Sequence, residues 1–215
     1  MEKEKIFWDW FREHEHEYHF YYQMPDSPET DKRFLTLTKK LHEYSENLHF
    51  IPMNNFYDSD TEFFIITTNC HKNYFEQAFK LIDHAPRDLP HWIFEALLPP
   101  AKRYTETYTI SYEGIKLDPK TVWFRPMGTN LDPSLFGVTL FYKEYHIYKN
   151  NEDIGDAFQK LLITELGELS LTLNVHHLEL APLPRNPLKK GCLKLSKLPG
   201  IIERHKRKNA QFSQN

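Results

Sequence analysis

Four histidine-, cysteine- and carboxylate-bearing stretches hold the side chains that chemistry uses. The first is His14-Glu15-His16-Glu17 with His19. A metalloprotease helix spaces two histidines four residues apart, because that step puts both imidazoles on one side of the helix. Here the step from His14 lands on Tyr18, and His14 falls on an apolar stripe. His16 and His19 lie three residues apart, about 60° around a helix. They are the pair that could share an ion, with no cysteine near to complete a set. The second stretch, Cys70-His71, falls between an expected strand and an expected helix. A helix N-terminus lowers a thiol's pKa and often presents a nucleophile. Against that, sequence neighbours usually point apart, so the adjacent histidine adds nothing. Glu165 and Glu168 flank Leu166-Gly167, and His176-His177 follow. A carboxylate beside a histidine can act as an acid–base pair, so Glu168, His176 and His177 would suit a hydrolase. The competing reading is a helix end followed by a twisted strand.

The charge pattern supplies another candidate. The chain holds 27 Lys and Arg against 30 Asp and Glu, a net charge of −3. Residues 185–215 carry nine basic residues and one acid, Glu203, for +8, and the first 184 carry 18 basic and 29 acidic residues, for −11. Lys189, Lys190, Arg204 and Arg207 are the contacts such a basic segment would offer. Nucleic-acid binding pairs such residues with exposed aromatics or a groove-reading motif. This segment has only Phe212, and the acidic body repels phosphate. Docking onto that body, plain solvation or contact with a partner protein is therefore the expectation, and nucleic-acid binding the alternative.

Other chemistries are excluded. Seven glycines are present, and the closest pairs stand nine residues apart (Gly128 and Gly137, Gly191 and Gly200). Phosphate-cradling loops need clustered glycine, so no G-x-G-x-x-G, Walker A loop or G-x-S-x-G elbow exists. No cofactor is expected. Cys70 and Cys192 are too few for a disulfide framework or a four-cysteine zinc site. No apolar run approaches the ~20 residues that span a bilayer. The start Met1-Glu2-Lys3-Glu4-Lys5 has no apolar leader core, which leads to the expectation of a cytoplasmic protein without a membrane partner. The 16 Phe, 12 Tyr and 4 Trp argue for a packed fold over a disordered chain.

The elements that would position these residues follow from periodicity. Residues 5–22 read as a helix with Phe7, Trp10, Phe11, His14, Tyr18 and Tyr21 on one stripe. Trp8 and Phe20 lie off that stripe and are the candidates for a protein or self-association interface. Ser27 as N-cap and Pro28 at the first helical position start a second helix, reaching to about residue 47. Two strands (48–52 and 61–68), a helix (73–84), a strand (92–98), a hairpin (106–117) and short strands at 121–124 and 136–142 follow. A helix over 152–165 ends at Gly167. Leu169, Leu171, Leu173 and Val175 alternate with polar residues, then Leu178 and Leu180 shift parity. A strand with a β-bulge at His176-His177 explains that shift. The sum is α+β: one mainly antiparallel mixed sheet with about four helices packed on it. A single domain is expected over 1–184, with 185–215 a basic tail partly disordered or docked on the body.

Ile6-Phe7-Trp8-Asp9-Trp10-Phe11 resembles the F-W-x-W-F opening of a family of uncharacterised bacterial proteins. Ala85-Pro86, Trp92 and Leu166-Gly167-Glu168 match its later features, over roughly residues 6–180. The resemblance implies a cytoplasmic bacterial protein and carries over no catalytic residue. The reading of the chain is thus a non-enzymatic protein that binds another protein, immunity-like or regulatory. The hydrolase and the nucleic-acid binder stand as alternatives.

Overall fold

The structure is a computed structural model and describes residues 2–127 and 135–212. It divides into two compact units: residues 1–99 with 103–105, and residues 100–102 with 106–215.

In unit 1, α1 (Lys3–His14) buries Glu4, Phe7, Trp8 and Phe11, an i, i+3, i+4, i+7 stripe. This stripe holds Trp8 in place of the expected Trp10, and it includes an acid. Glu4 is 3 % exposed, and its Oε1 takes Lys80 Nζ at 2.7 Å. The α-helix stops at His14, not near residue 22. There His14 Nδ1 sits 2.8 Å from the Trp10 carbonyl oxygen. A 3-10 turn (Glu15–Glu17), a left-handed Phe20 (φ 55°) and a second 3-10 turn (Tyr21–Gln23) then form a strap. α2 (Pro28–Tyr44) starts as expected: Ser27 Oγ accepts the Thr30 N–H at 3.3 Å, and Pro28 fills the first position.

The sheet of unit 1 has the order β1-β2-β3, formed by His49–Asn54, Glu62–Thr67 and Trp92–Ala96. β1 and β2 are antiparallel. β3 runs parallel to β2 after a crossover through α3 (Phe75–Asp83). All six residues of β2 are buried. Phe64 at its centre meets the rings of Trp8, Phe11, Phe50, Trp92 and Phe94 within 6.2 Å of its own centroid. Edge and stacked contacts of this kind add to the burial of the rings.

In unit 2, β4 (Ile110–Tyr112) and β5 (Ile115–Leu117) form the expected hairpin. Glu113 and Gly114 both have positive φ, 43° and 78°, as a primed two-residue turn requires. A four-stranded sheet has the order β8-β7-β6-β9, from His177–Pro182, Gly137–Tyr142, Trp123–Met127 and Leu193–Lys194. β6 pairs antiparallel with β7 and β9, and β7 pairs parallel with β8. Phe124, Val138, Leu140 and Tyr142 are buried, and Tyr142 packs edge-on against Phe158 of α5 (Ile154–Leu166) at 5.6 Å. A short α4 (Tyr145–Tyr148) precedes α5.

The α+β class holds, with three corrections. The described residues form three sheets and seven α-helices, where one sheet and about four helices were expected. Residues 168–174 are α6 (Glu168–Asn174), not a strand. Leu171 N–H donates to the Gly167 carbonyl at 3.0 Å and Val175 N–H to that of Leu171 at 3.0 Å. Leu favours helices as well as apolar strand positions, so its alternation does not discriminate. The parity shift marks the helix-to-strand boundary, and no bulge is needed.

β9 of the basic segment pairs with β6, and Cys192, Leu195, Leu198 and Ile202 are buried. α7 (Leu198–Phe212) carries Arg204 and Arg207 outward. No helix among the described residues is long and apolar enough to cross a membrane.

Candidate functional site

The structure separates most of the side chains that the sequence singles out. Glu168, 1 % exposed, lies in the first turn of α6. His176 and His177 are exposed and follow the far end of that helix, which at 1.5 Å per residue spans ~10 Å. His176 Nδ1 accepts the Phe136 N–H at 3.3 Å, and His177 Nε2 stands 3.5 Å from Glu179 Oε1. Glu168 is thus buried at one end of α6, and the two histidines are exposed beyond the other.

Cys70 is half-buried in a turn in which Asn69 (φ 52°) and Cys70 (φ 67°) are both left-handed. A 3-10 turn (Lys72–Tyr74) capped at His71 leads directly into α3, so Cys70 precedes the helical run by two residues, as expected. His16 is exposed, whereas the His19 ring packs against Phe20, His91 and Trp92 at 4.1, 4.8 and 5.4 Å. These two histidines do not share one face, and no group of three or more His, Cys, Asp or Glu among the described residues could hold a metal ion. Burial and neighbouring His91 hold the His19 imidazole below its usual pKa.

Trp8 is not an interface residue. It is 3 % exposed, and its indole N–H donates to the Leu81 carbonyl at 2.7 Å. Phe20 is half-buried, and its backbone N–H donates to Glu62 Oε2 at 2.5 Å. Lys189 and Lys190 are exposed on a 3-10 turn, and Arg204 and Arg207 are exposed on α7.

Sequence reasoning missed Trp10 and Glu62. Glu62 opens β2 at 1 % exposure, and its Oε1 is buried without a hydrogen-bond partner. Burial pushes its carboxyl pKa up, against the bond from Phe20 that lowers it. The signal was an acid joined to the apolar run Phe63-Phe64-Ile65-Ile66.

Trp10 stands where two clefts along the α1–α2 pair meet. One, of about 340 Å³, lies between the C-terminal half of α1 with Glu17 and Tyr18 and the N-terminal half of α2. The other, of about 210 Å³, lies between the start of α1 and the end of α2. α1 contributes Lys3, Ile6, Phe7, Trp10 and His14, and α2 contributes Glu29, Lys32, Arg33, Thr36, Lys40, Glu43 and Tyr44. Both sets follow three- and four-residue steps, so each is one stripe of a helix. The two helices run antiparallel, and the clefts form one groove along their seam.

The floor of the groove is apolar and aromatic. Ile6 is 43 % exposed, and the Trp10 ring stacks on His14 at 4.6 Å and 18°. Tyr18 O–H donates to the Arg33 carbonyl at 3.3 Å, and burial with the charge of Glu17 pushes its pKa up to about 12. The rim is charged. Lys40 Nζ meets Glu43 Oε1 at 2.9 Å, and Arg33 donates to the Glu17 carbonyl at 3.4 Å. Such a surface offers apolar area framed by charge.

The chain matches no protein-family model, no curated protein and no solved structure.

Proposed function

We propose that the protein works by binding another protein, as an immunity-like or regulatory protein does, and that the α1–α2 groove is the contact. The supporting observation is the pair of clefts joined at Trp10, with an apolar floor and a rim of Lys3, Lys32, Arg33 and Lys40 against Glu17, Glu29 and Glu43. Two antiparallel helices with an open seam accept a third helix by ridges-into-grooves packing. The occupant is an amphipathic helix of the partner, its apolar stripe on Ile6 and Trp10. α1 spans ~18 Å, room for about three turns of such a helix.

A photo-crosslinking residue in place of Ile6 tests this. The adduct should map to an amphipathic helical segment of one partner. A synthetic peptide of that segment should bind the intact protein and lose at least about tenfold in affinity to Ile6→Glu or Trp10→Ala, with the melting temperature of Ile6→Glu unchanged. Crosslinking no stronger than from an exposed position outside the groove such as Lys116, or peptide binding that Ile6→Glu leaves intact, overturns the reading.

A further inference from the structure

In the four-stranded sheet of unit 2, register fixes what shares a face. Trp123 pairs with Phe141 and with Lys194, and Arg125 pairs with Thr139, which pairs with Glu179. Side chains alternate along each strand, so Lys194, Trp123, Arg125 and Phe141 stand on the face opposite Phe124, Leu140 and the core. Lys194 Nζ lies 4.2 Å above the centroid of the Trp123 ring, and Arg125 Cζ lies 5.5 Å above that of Phe141. Phe141 is 7 % exposed beneath this guanidinium, while Arg125 and Lys194 themselves are exposed.

The same charged groups also bond to backbone. Lys194 Nζ donates to the Lys120 carbonyl at 2.8 Å, and Arg125 donates to the Lys190 carbonyl at 3.4 Å. The side chains of Lys120, Lys189 and Lys190 are exposed beside the same β9 edge. The acid on this face, Glu179, is on β8 at the other edge, beside His177. Unit 2 has 16 basic and 12 acidic residues, a net of +4, whereas unit 1 has 11 and 18, a net of −7.

We propose that this sheet face binds single-stranded nucleic acid. Bases stack on Trp123 and Phe141 once Lys194 and Arg125, which lie over those rings, turn to phosphates, and the flanking lysines neutralise the rest of the backbone. Aromatic rings on a sheet with cations beside them suit splayed bases, whose π-faces and phosphates are satisfied together. An acidic peptide would engage the cations but leave the rings without partners. Duplex nucleic acid keeps its bases stacked inside and offers these rings nothing.

The test uses the full chain and a fluorescent 12-nucleotide single strand, as RNA and as DNA, followed by anisotropy at 50 and 200 mM salt. Binding should weaken with salt, and Lys194→Gln should reduce the logarithmic salt slope by about 0.7. Trp123→Ala should lose roughly 5- to 150-fold in affinity and Trp123→Phe much less, as loss of one stacked base predicts. Lys39→Glu, on α2, should change nothing. No salt-sensitive binding overturns the proposal. So does competition by polyglutamate or duplex DNA as effective as that by the unlabelled single strand. If Trp123→Ala fails to fold, Trp123→Phe and Lys194→Gln decide. Unchanged affinity and slope in Lys194→Gln overturn the proposal.

Discussion

Glu62 shows what a single residue's burial does to the whole. Its carboxyl is buried with one oxygen bonded to the Phe20 N–H and the other without a partner. Because burial raises its pKa above the ordinary 4.5, the folded state prefers the proton. The sign follows: between the unfolded and folded pKa values the native state binds more protons, so Glu62's contribution is present below 4.5 and is lost as pH rises through the folded value. Wild-type stability should therefore carry a component that falls as pH rises above about 4.5, and Glu62→Gln should lack it. Melting temperatures of both proteins from pH 4 to 8 test this: the Glu62→Gln minus wild-type difference should grow with pH, and a constant difference would refute the assignment. The sequence displayed this acid but not its burial. The same holds for Glu4. It fell outside the helix expected over residues 5–22, yet a bond from Lys80 holds its carboxyl below the usual range and lets it lie inward.

Elements were legible where local chemistry decided them. Ser27 and Pro28 opened α2, Glu113-Gly114 turned the hairpin, and Pro86 followed α3, each through a backbone rule that needs no tertiary context. The stretch 168–175 was misread because Leu at alternate positions fits a strand's period of two; in the helix that forms, Leu169 and Leu173 share one face, 43 % and 50 % exposed, and Leu171 lies opposite at 9 %. The deciding residue is Gly167. It ends α5 and starts α6 at φ 79° and ψ 155°, a conformation essentially reserved for glycine. Gly167→Ala should cost about 1–3 kcal/mol in chemical denaturation. Gly114→Ala, at an ordinary left-handed position with open space around its missing Cβ, should cost about 1–2 kcal/mol or less. Equal, negligible losses at both sites would mean that Gly167 does not fix the α5–α6 junction. The candidate site was half legible at this scale: the helices were foreseen, but not which seam stays open between them.

At the scale of the whole chain, the charge pattern was visible and its meaning was not. Cutting at residue 185 gives −11 and +8, which reads as a body and an appendage. The two compact units instead carry −7 and +4, and the basic segment is part of the second. Charge counts are blind to the four apolar residues, Cys192, Leu195, Leu198 and Ile202, that tie the segment in at 1 % exposure or less. Burial raises the Cys192 thiol pKa as well, in keeping with an interior position. An appendage could be removed without consequence; a completing strand and helix could not. Leu198→Ala should lower stability by about 2–5 kcal/mol, the usual cost of emptying a fully buried leucine site. A chain ending at residue 184 would lose β9 and all four buried side chains at once. Limited proteolysis of that truncated chain should digest residues 106–184 while leaving a resistant fragment from residues 1–99, because β9, its partner β6 and the four buried side chains all belong to unit 2. If residues 106–184 stay as resistant as in the full chain, and Leu198→Ala melts at the wild-type temperature, the segment is an appendage after all.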